Sequence, residues 1–444
     1  MKPLPPFIIP SAGAYLVGGC VRDLLLGRSP TDYDVAVEDS PADYAAALAA
    51  PIGGRVVVLG KAGARTWRVA AGDLIVDVCP IQGDSIRDDL LRRDFTINAM
   101  AVATVGGEVV DVAAGREDLA HRTVRMVSRS VFRTDPVRLI RAFRFTAQLG
   151  FAIEAGTRDA VRGDAGLIAR SAGERIRDEF YKLIGADHHV SAVADMAASG
   201  LLTAVFPELA FSRRSVDALR ELDGLCGAAP ALADDPTRRG VQGFSARRRV
   251  LLRCGLVFHP LGGSTHEPER TSVFDRLRCP NRDRDHLDRL LTLQRMPMRL
   301  FETVPAPVPR DEVRFFLAAG DTVPDLLLQA AAWLRSDRHA AAERRSAFER
   351  YTGHLLRRYR EEYRPRKAMP SPVTGDDLRA EFGLRPSPMI KELLRVVEEE
   401  RLTRRTFSRA DALQLVRRAL AEKTGSLPAA GREPGTPDPG GATS

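Results

Sequence analysis

The hydrophobic pattern of the chain changes once, near residue 135, and this change limits the fold more than any other feature. Before it, short β-rich runs alternate with turn signals, and a short helical run closed by Gly27 separates the first two. The runs are AYLVGG, DYDVAVE, GRVVVLG, RTWRVAA and DLIVDVC. They lie too close together for repeated βαβ crossovers. From about Asp135 to Ala421, apolar residues recur at helical spacing. We therefore predict an α+β unit followed by an all-α remainder.

Breaks in this pattern predict the domain organisation of the 444 residues. Stretches rich in Pro, Gly and charge near 228–246, 303–310 and 364–374 are typical of linkers. They predict an α+β domain over 1–130 and helical domains over 131–230, 231–370 and 371–423. The last segment, 424–444, has almost nothing apolar to bury and is predicted to be disordered.

The charge balance favours a nucleotide or nucleic-acid partner. Lys and Arg together number 66 against 58 acidic residues, a net charge of +8, and most of the cations are Arg, whose planar fork suits phosphate. No apolar run reaches the ~18 residues of a membrane helix, and the N-terminus lacks the pattern of a signal peptide. Five cysteines without CxxC spacing argue against a zinc site or a disulfide framework. These features predict a cytoplasmic protein that does not bind membranes.

The first chemical motif is a strand that ends in Gly18 and Gly19 and passes directly into a helix carrying Arg22 and Asp23. Glycines let a phosphate approach the backbone, and Arg22 adds a cation. Taken alone, this is also the pattern of an ordinary strand–helix turn.

The second motif is a pair of carboxylates, Asp32 and Asp34, on a predicted strand. Residues i and i+2 of a strand point to one face, so both acids project together, with Tyr33 on the other side. Two crowded carboxylates repel unless a cation lies between them, and Mg²⁺ takes carboxylate and phosphate oxygens. A charged strand edge is the alternative, and the nearby glycine turn weakens it.

The third motif is the run RRDFTINAMA from Arg92 to Ala101. Arg93 can hold a phosphate or a base, and Asp94 can accept a hydrogen bond from a sugar hydroxyl. A surface salt-bridge cluster is the alternative, and it would require many residues to coincide.

Together the three motifs resemble class II tRNA nucleotidyltransferases and bacterial poly(A) polymerases, members of the polymerase-β-like nucleotidyltransferase superfamily. The resemblance is carried by LVGGCVRDLLLG, DYDVAVE, DDLLRRDFTINAMA, VVDVAAGREDLAHRTVR and DPVRLIRAFRFTAQLGF, and extends to GERIRDEFYKLI and the C-terminal VTGDDLRAEFGLRPSPMIKELL. It implies a nucleotidyltransferase head followed by an all-α neck, body and tail. It also implies template-independent addition of C residues, A residues or both, from CTP and ATP, to the 3′ end of tRNA by two-metal catalysis.

The resemblance also implies roles for individual residues. Asp32 and Asp34 would be catalytic and hold two Mg²⁺ ions. The remaining implied nucleotide-binding residues are Gly18, Gly19, Arg22, Asp23, Arg93, Asp94, Asp135, Arg138, Arg141 and Arg144. Asp23 would orient Arg22. Asp77 lies on a later strand where some superfamily members carry a third carboxylate, although it also fits an ordinary strand aspartate.

The stretch from Thr134 to Arg138 occupies the family's base-reading motif, usually Glu-Asp-x-x-Arg. In that motif Asp135 and Arg138 would pair with the incoming base in place of a template. Arg141 and Arg144 continue at the same interval and would reach phosphates. An Asp before Pro136 at a helix start is also a good N-cap, so Asp135 has a structural alternative. The family's Glu is replaced by Thr134.

The sequence departs from its relatives in two further places, one that affects nucleotide specificity and one that affects a second activity. Only five residues, 80–84, separate Cys79 from Ser85, where CCA-adding relatives have a longer flexible loop. Members that add only CC lack that loop, so a CC-adding enzyme is a possible outcome. The helical body has no adjacent His-Asp pair, which predicts that the phosphohydrolase activity of some relatives is absent.

Other functions stay open at this point. A poly(A) polymerase would share almost every motif, although the short tail favours tRNA. A catalytically inactive RNA-binding protein is disfavoured by the intact carboxylates. The arginine-rich stretch 344–367 could follow an RNA backbone with Tyr351, Tyr359 and Tyr363 available to stack on bases; a solvated helix with Glu–Arg pairs is the alternative. The oligomeric state is open.

Overall fold

The computed structural model describes residues 4–60, 65–227, 245–303, 309–404 and 406–424. The chain divides into two compact units, one of Met1–Gly224 with Phe244–Leu291 and one of Leu225–Gly243 with Thr292–Ser444. The linker predicted near 228–246 and the disordered segment predicted over 424–444 lie almost wholly outside the described residues. The division into domains ending near residues 130, 230, 370 and 423 stays a prediction.

A seven-stranded sheet forms the N-terminal part of the first unit. Its strands are β1 Ala14–Val17, β2 Asp32–Val37, β3 Arg55–Leu59, β4 Thr66–Ala71, β5 Leu74–Pro80, β6 Met100–Ala103 and β7 Val109–Asp111. They lie in the order β3-β4-β5-β2-β1-β6-β7, and only the β2–β5 pair is parallel. The five predicted strands are all present, while β6 and β7 were not individually predicted.

The central strand β2 has two different halves. Val35, Ala36 and Val37 are buried, as expected for a strand covered on both faces. The first half, Asp32–Asp34, is more open. Tyr33 packs its ring edge-on against Phe7, with centroids 5.0 Å apart, in agreement with the predicted alternation of side chains. Short helices flank the sheet: α1 Gly19–Leu25, α2 Pro41–Ile52, α3 Ile86–Leu91, a 3₁₀ turn at Thr96–Asn98 and α4 Gly115–Ala120.

Helices make up most of the rest of the first unit, as predicted. They are α5 Val131–Thr134, α6 Arg138–Leu149, α7 Ala155–Asp164, α8 Gly173–Gly185, α9 His189–Ala198, α10 Leu201–Val205, α11 Arg213–Gly227, α12 Ala246–Val257, α13 Glu267–Arg276 and α14 Asn281–Leu293, with 3₁₀ turns at Ala165–Arg170, His259–Leu261 and Ser264–His266. Helix α6 packs against α8 and α9. One difference from the all-α prediction is a two-residue parallel pairing of β8 Thr123–Val124 with β9 Ala152–Ile153. A pairing this short leaves no periodic signal in the sequence.

The second unit is helical throughout its described residues. Its elements are α15 Met296–Glu302, α16 Pro309–Ala319, α17 Val323–Arg335, α18 Ala342–Arg358, a π-helical turn Tyr359–Tyr363, α19 Arg364–Ala368, α20 Gly375–Phe382, α21 Pro388–Thr403 and α22 Arg409–Thr424, with a 3₁₀ turn at Gly320–Thr322. No helix in the described ranges has the length and apolarity needed to cross a membrane.

The suggestion that tyrosines of the 344–367 stretch stack on bases is wrong for two of the three. Tyr359 and Tyr363 are buried, and their rings pack against Phe316 at centroid distances of 5.5 and 5.2 Å. Their spacing serves the core of the second unit. The linker predicted from residue 364 also begins later, because the helix continues to Ala368.

Candidate active site

A cleft of about 600 Å³ in the first unit contains the predicted site residues. The β1–α1 turn, the start of β2, the segment after α3 and the facing sides of α6 and α8 line it. All twelve predicted residues contribute: Gly18, Gly19, Arg22, Asp23, Asp32, Asp34, Arg93, Asp94, Asp135, Arg138, Arg141 and Arg144. Residues more than 120 positions apart in sequence therefore converge on one cavity.

The glycine turn fits closely against an arginine. Gly18 has φ 76° and ψ −136°, a conformation that favours glycine. A Cβ at Gly18 would lie 2.8 Å from Nη1 of Arg93 and 3.7 Å from Oδ2 of Asp34. The missing side chain therefore leaves room for the Arg93 guanidinium beside the backbone.

Two side chains hold Arg22: Asp23, as predicted from the sequence, and Asn98. Its Nε and Nη2 donate to the two carboxylate oxygens of Asp23 at 2.9 and 3.0 Å. Its Nη1 donates to Oδ1 of Asn98 at 2.8 Å. Asp23 thus orients Arg22, and Asn98 is a second positioning residue that sequence reasoning missed, although it lies inside the RRDFTINA run.

The two β2 carboxylates lie at the edge of the cleft beside a third acid. In the parallel pairing of β2 with β5, Asp34 is directly opposite Asp77. Burial raises the pKa of Asp34; the Arg93 charge opposes this shift, and the charges of Asp77 and Asp32 add to it. Asp77 is neutralised by Arg68, whose Nε and Nη2 each donate to it at 2.8 Å.

The donor set of the cleft fits a hard divalent cation that also binds substrate. Two neighbouring carboxylates, of which Asp34 has a raised pKa, are relieved of repulsion by a cation. The described residues contain no group of three or more His, Cys, Asp or Glu side chains arranged for a metal. Mg²⁺ is usually bound by one or two carboxylates together with phosphate oxygens, and Asp32 and Asp34 fit that arrangement.

In the segment after α3, the side chain of Arg93 is partly exposed and that of Asp94 is buried. Arg93 donates through Nε and Nη2 to Oδ2 of Asp89, at 3.0 and 2.8 Å, and leaves Nη1 beside Gly18. Asp94 is buried and accepts from Arg141 Nε at 2.7 Å and from its neighbour Phe95 N–H at 2.9 Å. Burial alone would raise the pKa of Asp94, but the charge and hydrogen bonds of Arg141 hold it below its usual value.

Glu179 on α8 ties the arginines of α6 together. Arg144 Nε lies 3.2 Å from Glu179 Oε2, and Arg141 Nη1 lies 3.6 Å from Oε1. Burial and the nearby Arg141 charge lower the pKa of Arg144 to about 10, so it stays cationic at neutral pH. The guanidiniums of Arg22, Arg141 and Arg144 also lie 5.5, 5.4 and 4.2 Å from the ring centre of Phe145.

Asp135 does not cap a helix. Helix α6 begins at Arg138 after Val137, with no side-chain cap, while Asp135 follows α5 in an extended conformation. Both its carboxylate oxygens accept from Arg175 of α8, at 3.0 and 2.8 Å. The capping alternative was therefore wrong, because the side chain turns to α8. Arg138 Nε lies 3.9 Å from Asp135, and its Nη1 donates to the carbonyl of Arg92 at 3.0 Å.

Sequence reasoning missed several cleft residues on α8. Arg175, Asp178, Glu179 and Lys182 line the cavity from one side of that helix. Their spacing of three, one and three residues is the signal that could have placed them on one helix face. The stretch GERIRDEFYKLIG supported a helix and the family resemblance, but no site residue was predicted in it.

The fold and the cleft define a nucleotidyltransferase: a sheet with paired carboxylates on its central strand, beside a glycine turn and an array of arginines. A family model described as "Poly A polymerase head domain" matches residues 14–125. A second, "Probable RNA and SrmB- binding site of polymerase A", matches residues 150–212.

Whole-chain comparisons narrow the class. The chain is 33% identical to the A-adding tRNA nucleotidyltransferase of Deinococcus radiodurans, over 96% of this chain and 99% of that protein. It is 31% identical to the CC-adding tRNA nucleotidyltransferase of Geobacter sulfurreducens, over 96% of each. The solved Thermotoga maritima CCA-adding enzyme complexed with tRNA has the same fold, with a TM-score of 0.63 and 22% identity over 92% of this chain and 91% of that one. The chain belongs to the tRNA nucleotidyltransferase family. Membership implies dependence on a divalent metal ion.

Proposed function

We propose that this tRNA nucleotidyltransferase transfers CMP from CTP to the 3′ end of tRNA, and that it stops after adding two C residues. The observation that carries the transfer reaction is the convergence of all twelve predicted residues in one cleft. The proposal that addition ends after two C residues is supported by the short connection between β5 and α3.

Different residues of the cleft would bind the metal ion, the triphosphate and the ribose. Asp32 and Asp34 would hold Mg²⁺, which when bound activates the RNA 3′-hydroxyl and neutralises the triphosphate. Arg22 and Arg93, placed beside the glycine turn, would bind the triphosphate oxygens. Asp94 has Arg141 on Oδ2, and Phe95 N–H and Asn98 Nδ2 on Oδ1; it would accept from a ribose hydroxyl by giving up the long Asn98 contact of 3.4 Å. Because catalysis here is positioning and charge stabilisation, no protein nucleophile is needed.

Asp135 and Arg138 would select the base. A carboxylate accepts a hydrogen bond, so Asp135 suits the exocyclic amino group of cytosine or adenine and disfavours the carbonyl oxygen of uracil or guanine. Arg138 donates and suits the neighbouring ring nitrogen, which is an acceptor in both permitted bases. The pair therefore restricts the enzyme to C and A without a template.

The β5–α3 connection supports the restriction to CC. It runs from Ile81 to Ser85 and is fixed at both ends. Ile81 N–H donates to the carbonyl of Val37 at 3.0 Å and Gln82 N–H donates to Asp89 Oδ1 at 3.1 Å, while at the other end Ser85 Oγ accepts from Asp88 N–H at 3.3 Å. A connection this short and fixed has no length to rearrange when the growing end changes from C to A. The Geobacter relative carries the CC-adding name.

A-addition is the second candidate, because the Deinococcus relative, which matches nearly the whole chain, is an A-adding enzyme. Incorporation assays on tRNAs ending before CCA, in C and in CC, with CTP, ATP or both, separate the two. A product ending in CC supports the proposal, and addition of A only to the tRNA ending in CC overturns it in favour of A-addition. Completion of CCA would contradict the role given to the short connection. Long A-tails on a generic RNA would identify a poly(A) polymerase.

A further inference from the structure

Arg175 of α8 holds the carboxylate assigned to base selection. Its Nη1 and Nη2 each donate to a different oxygen of Asp135, at 3.0 and 2.8 Å. Two parallel bonds of this kind fix both the position of a carboxylate and the orientation of its plane. The partners are 40 positions apart in sequence, so local backbone structure does not impose the pairing.

Nothing else in the described structure holds that carboxylate as firmly. Asp135 lies between α5 and α6, outside both helices, so its own backbone does not fix the side chain. The Arg138 contact, at 3.9 Å, is too long for a hydrogen bond. Thr134, where the family usually has Glu, turns its hydroxyl to the carbonyl of Ser130 at 3.0 Å. Within the described residues, the two bonds from Arg175 are the only hydrogen bonds to the Asp135 side chain.

We propose that Arg175 is a positioning residue that sets base discrimination by fixing the plane of the Asp135 carboxylate. This inference rests on the proposed role of Asp135 in base reading. Each carboxylate oxygen has a second lone pair, so an oxygen bound to Arg175 can still accept from an amino group of the base. Without Arg175 the carboxylate rotates freely, and the geometry that favours an amino group over a carbonyl is lost.

Arg175→Ala and Arg175→Lys test this proposal, with Arg162→Ala as the matched control. Arg162 forms a similarly exposed ion pair with Asp159 on α7, away from the cleft; the arginine side chains are 56% and 53% exposed at 162 and 175. The measurements are kcat and KM for CTP and UTP on tRNA, together with Tm. If the parent prefers purines, ATP and GTP replace them, because the amino-to-carbonyl change is the same.

We expect Arg175→Ala to raise the KM for CTP about tenfold or more with a smaller change in kcat, because Asp135 would lose the charge-assisted bidentate contact that fixes it. The preference for CTP over UTP should fall by a similar factor. Arg175→Lys should restore part of the KM but little of the preference, because an ammonium does not fix a carboxylate plane. Arg162→Ala should match the parent.

An unchanged CTP/UTP ratio in a folded Arg175→Ala enzyme would overturn the proposal. A second comparison uses Asp135→Asn: if Arg175 acts through Asp135, adding Arg175→Ala to that variant changes the ratio no further, and an additive loss contradicts the mechanism. A parent enzyme that fails to discriminate between CTP and UTP would instead refute the proposed function, so the two failures are distinguishable.

Discussion

At the scale of the residue, the placement of Arg93 depends on a carboxylate on one side and a missing side chain on the other. Asp89 binds its Nε and Nη2, and Nη1 lies where a Cβ of residue 18 would be. The sequence predicted that glycine would admit a phosphate to the backbone. The structure adds that the same glycine admits the arginine proposed to bind that phosphate.

We expect Gly18→Ala to lower both stability and incorporation. The alanine would be strained at positive φ, by ~1–2 kcal/mol, and would displace Arg93. Gly27→Ala is the matched control, because Gly27 also has positive φ, at 72°, but a Cβ there meets no atom within 4 Å. Urea unfolding should show a loss of stability in both variants, larger at residue 18, where ψ is −136° and the Cβ would collide with Arg93. Nucleotide incorporation should show a large loss of activity only at residue 18. Equal activities would contradict the role given to Arg93.

Asp34→Asn should separate catalysis from stability. Incorporation should fall by ~100-fold or more, since a metal-binding carboxylate is removed. Stability should not fall: the pKa of Asp34 is raised by burial above its ordinary value of 3.8, so the ionised group weakens the fold as pH rises through that range. In metal-free buffer the Tm of the variant should therefore match the parent near pH 3.8 and exceed it at pH 7. A lower Tm at pH 7 would show that Asp34 is structural.

At the scale of the element, helix α3 connects the short β5–α3 segment to the site. Ser85 caps its N-terminus by accepting from Asp88 N–H at 3.3 Å, and α3 carries Asp89, which holds Arg93. The position of the arginine proposed to bind the triphosphate therefore depends on how well this six-residue helix is capped.

Ser85→Ala should cost ~1 kcal/mol of stability through the lost cap and also reduce incorporation several-fold. Ser245→Ala serves as the control, because Ser245 caps α12 in the same way, accepting from Arg248 N–H at 3.2 Å, on a helix that contributes no residue to the cleft. Thermal unfolding should show similar losses for the two variants, and the incorporation rate should differ. Should both variants keep full activity, α3 would not control the position of Arg93.

The same scale shows what the sequence could predict. Strands β1 to β5 and the helices lining the cleft have clear periodicity, and every site residue implied by the family resemblance lies at the cleft. The partners that hold those residues were not predictable in the same way. Asn98 and Arg175 act on residues 76 and 40 positions away, and such pairings are set by tertiary packing. The sequence left a capping role for Asp135 as an alternative for the same reason. The local pattern around residue 135 does not show that Arg175 of α8 binds this carboxylate.

At the scale of the whole molecule, the positive charge lies outside the cleft. Seven cationic and seven acidic side chains line the cavity, so their formal charges cancel, while the chain carries a net charge of +8. Because the charges of the lining side chains cancel, the cleft is suited to orienting a metal-bound nucleotide. The excess positive charge is carried by residues other than those lining the cleft, and it suits a polyanion, which for this family is tRNA.

Binding of the two substrates should therefore respond differently to salt. Phosphate contacts release counterions, so the Kd for tRNA should rise by at least ~10-fold between 50 and 200 mM KCl. The KM for the nucleotide, measured with saturating tRNA and constant Mg²⁺, should change much less, because it depends on directional hydrogen bonds within a cleft of zero net formal charge. Filter binding and steady-state kinetics give the two values. A tRNA affinity independent of salt would mean that base and sugar contacts dominate, and that the surface arginines are not the tRNA-binding surface.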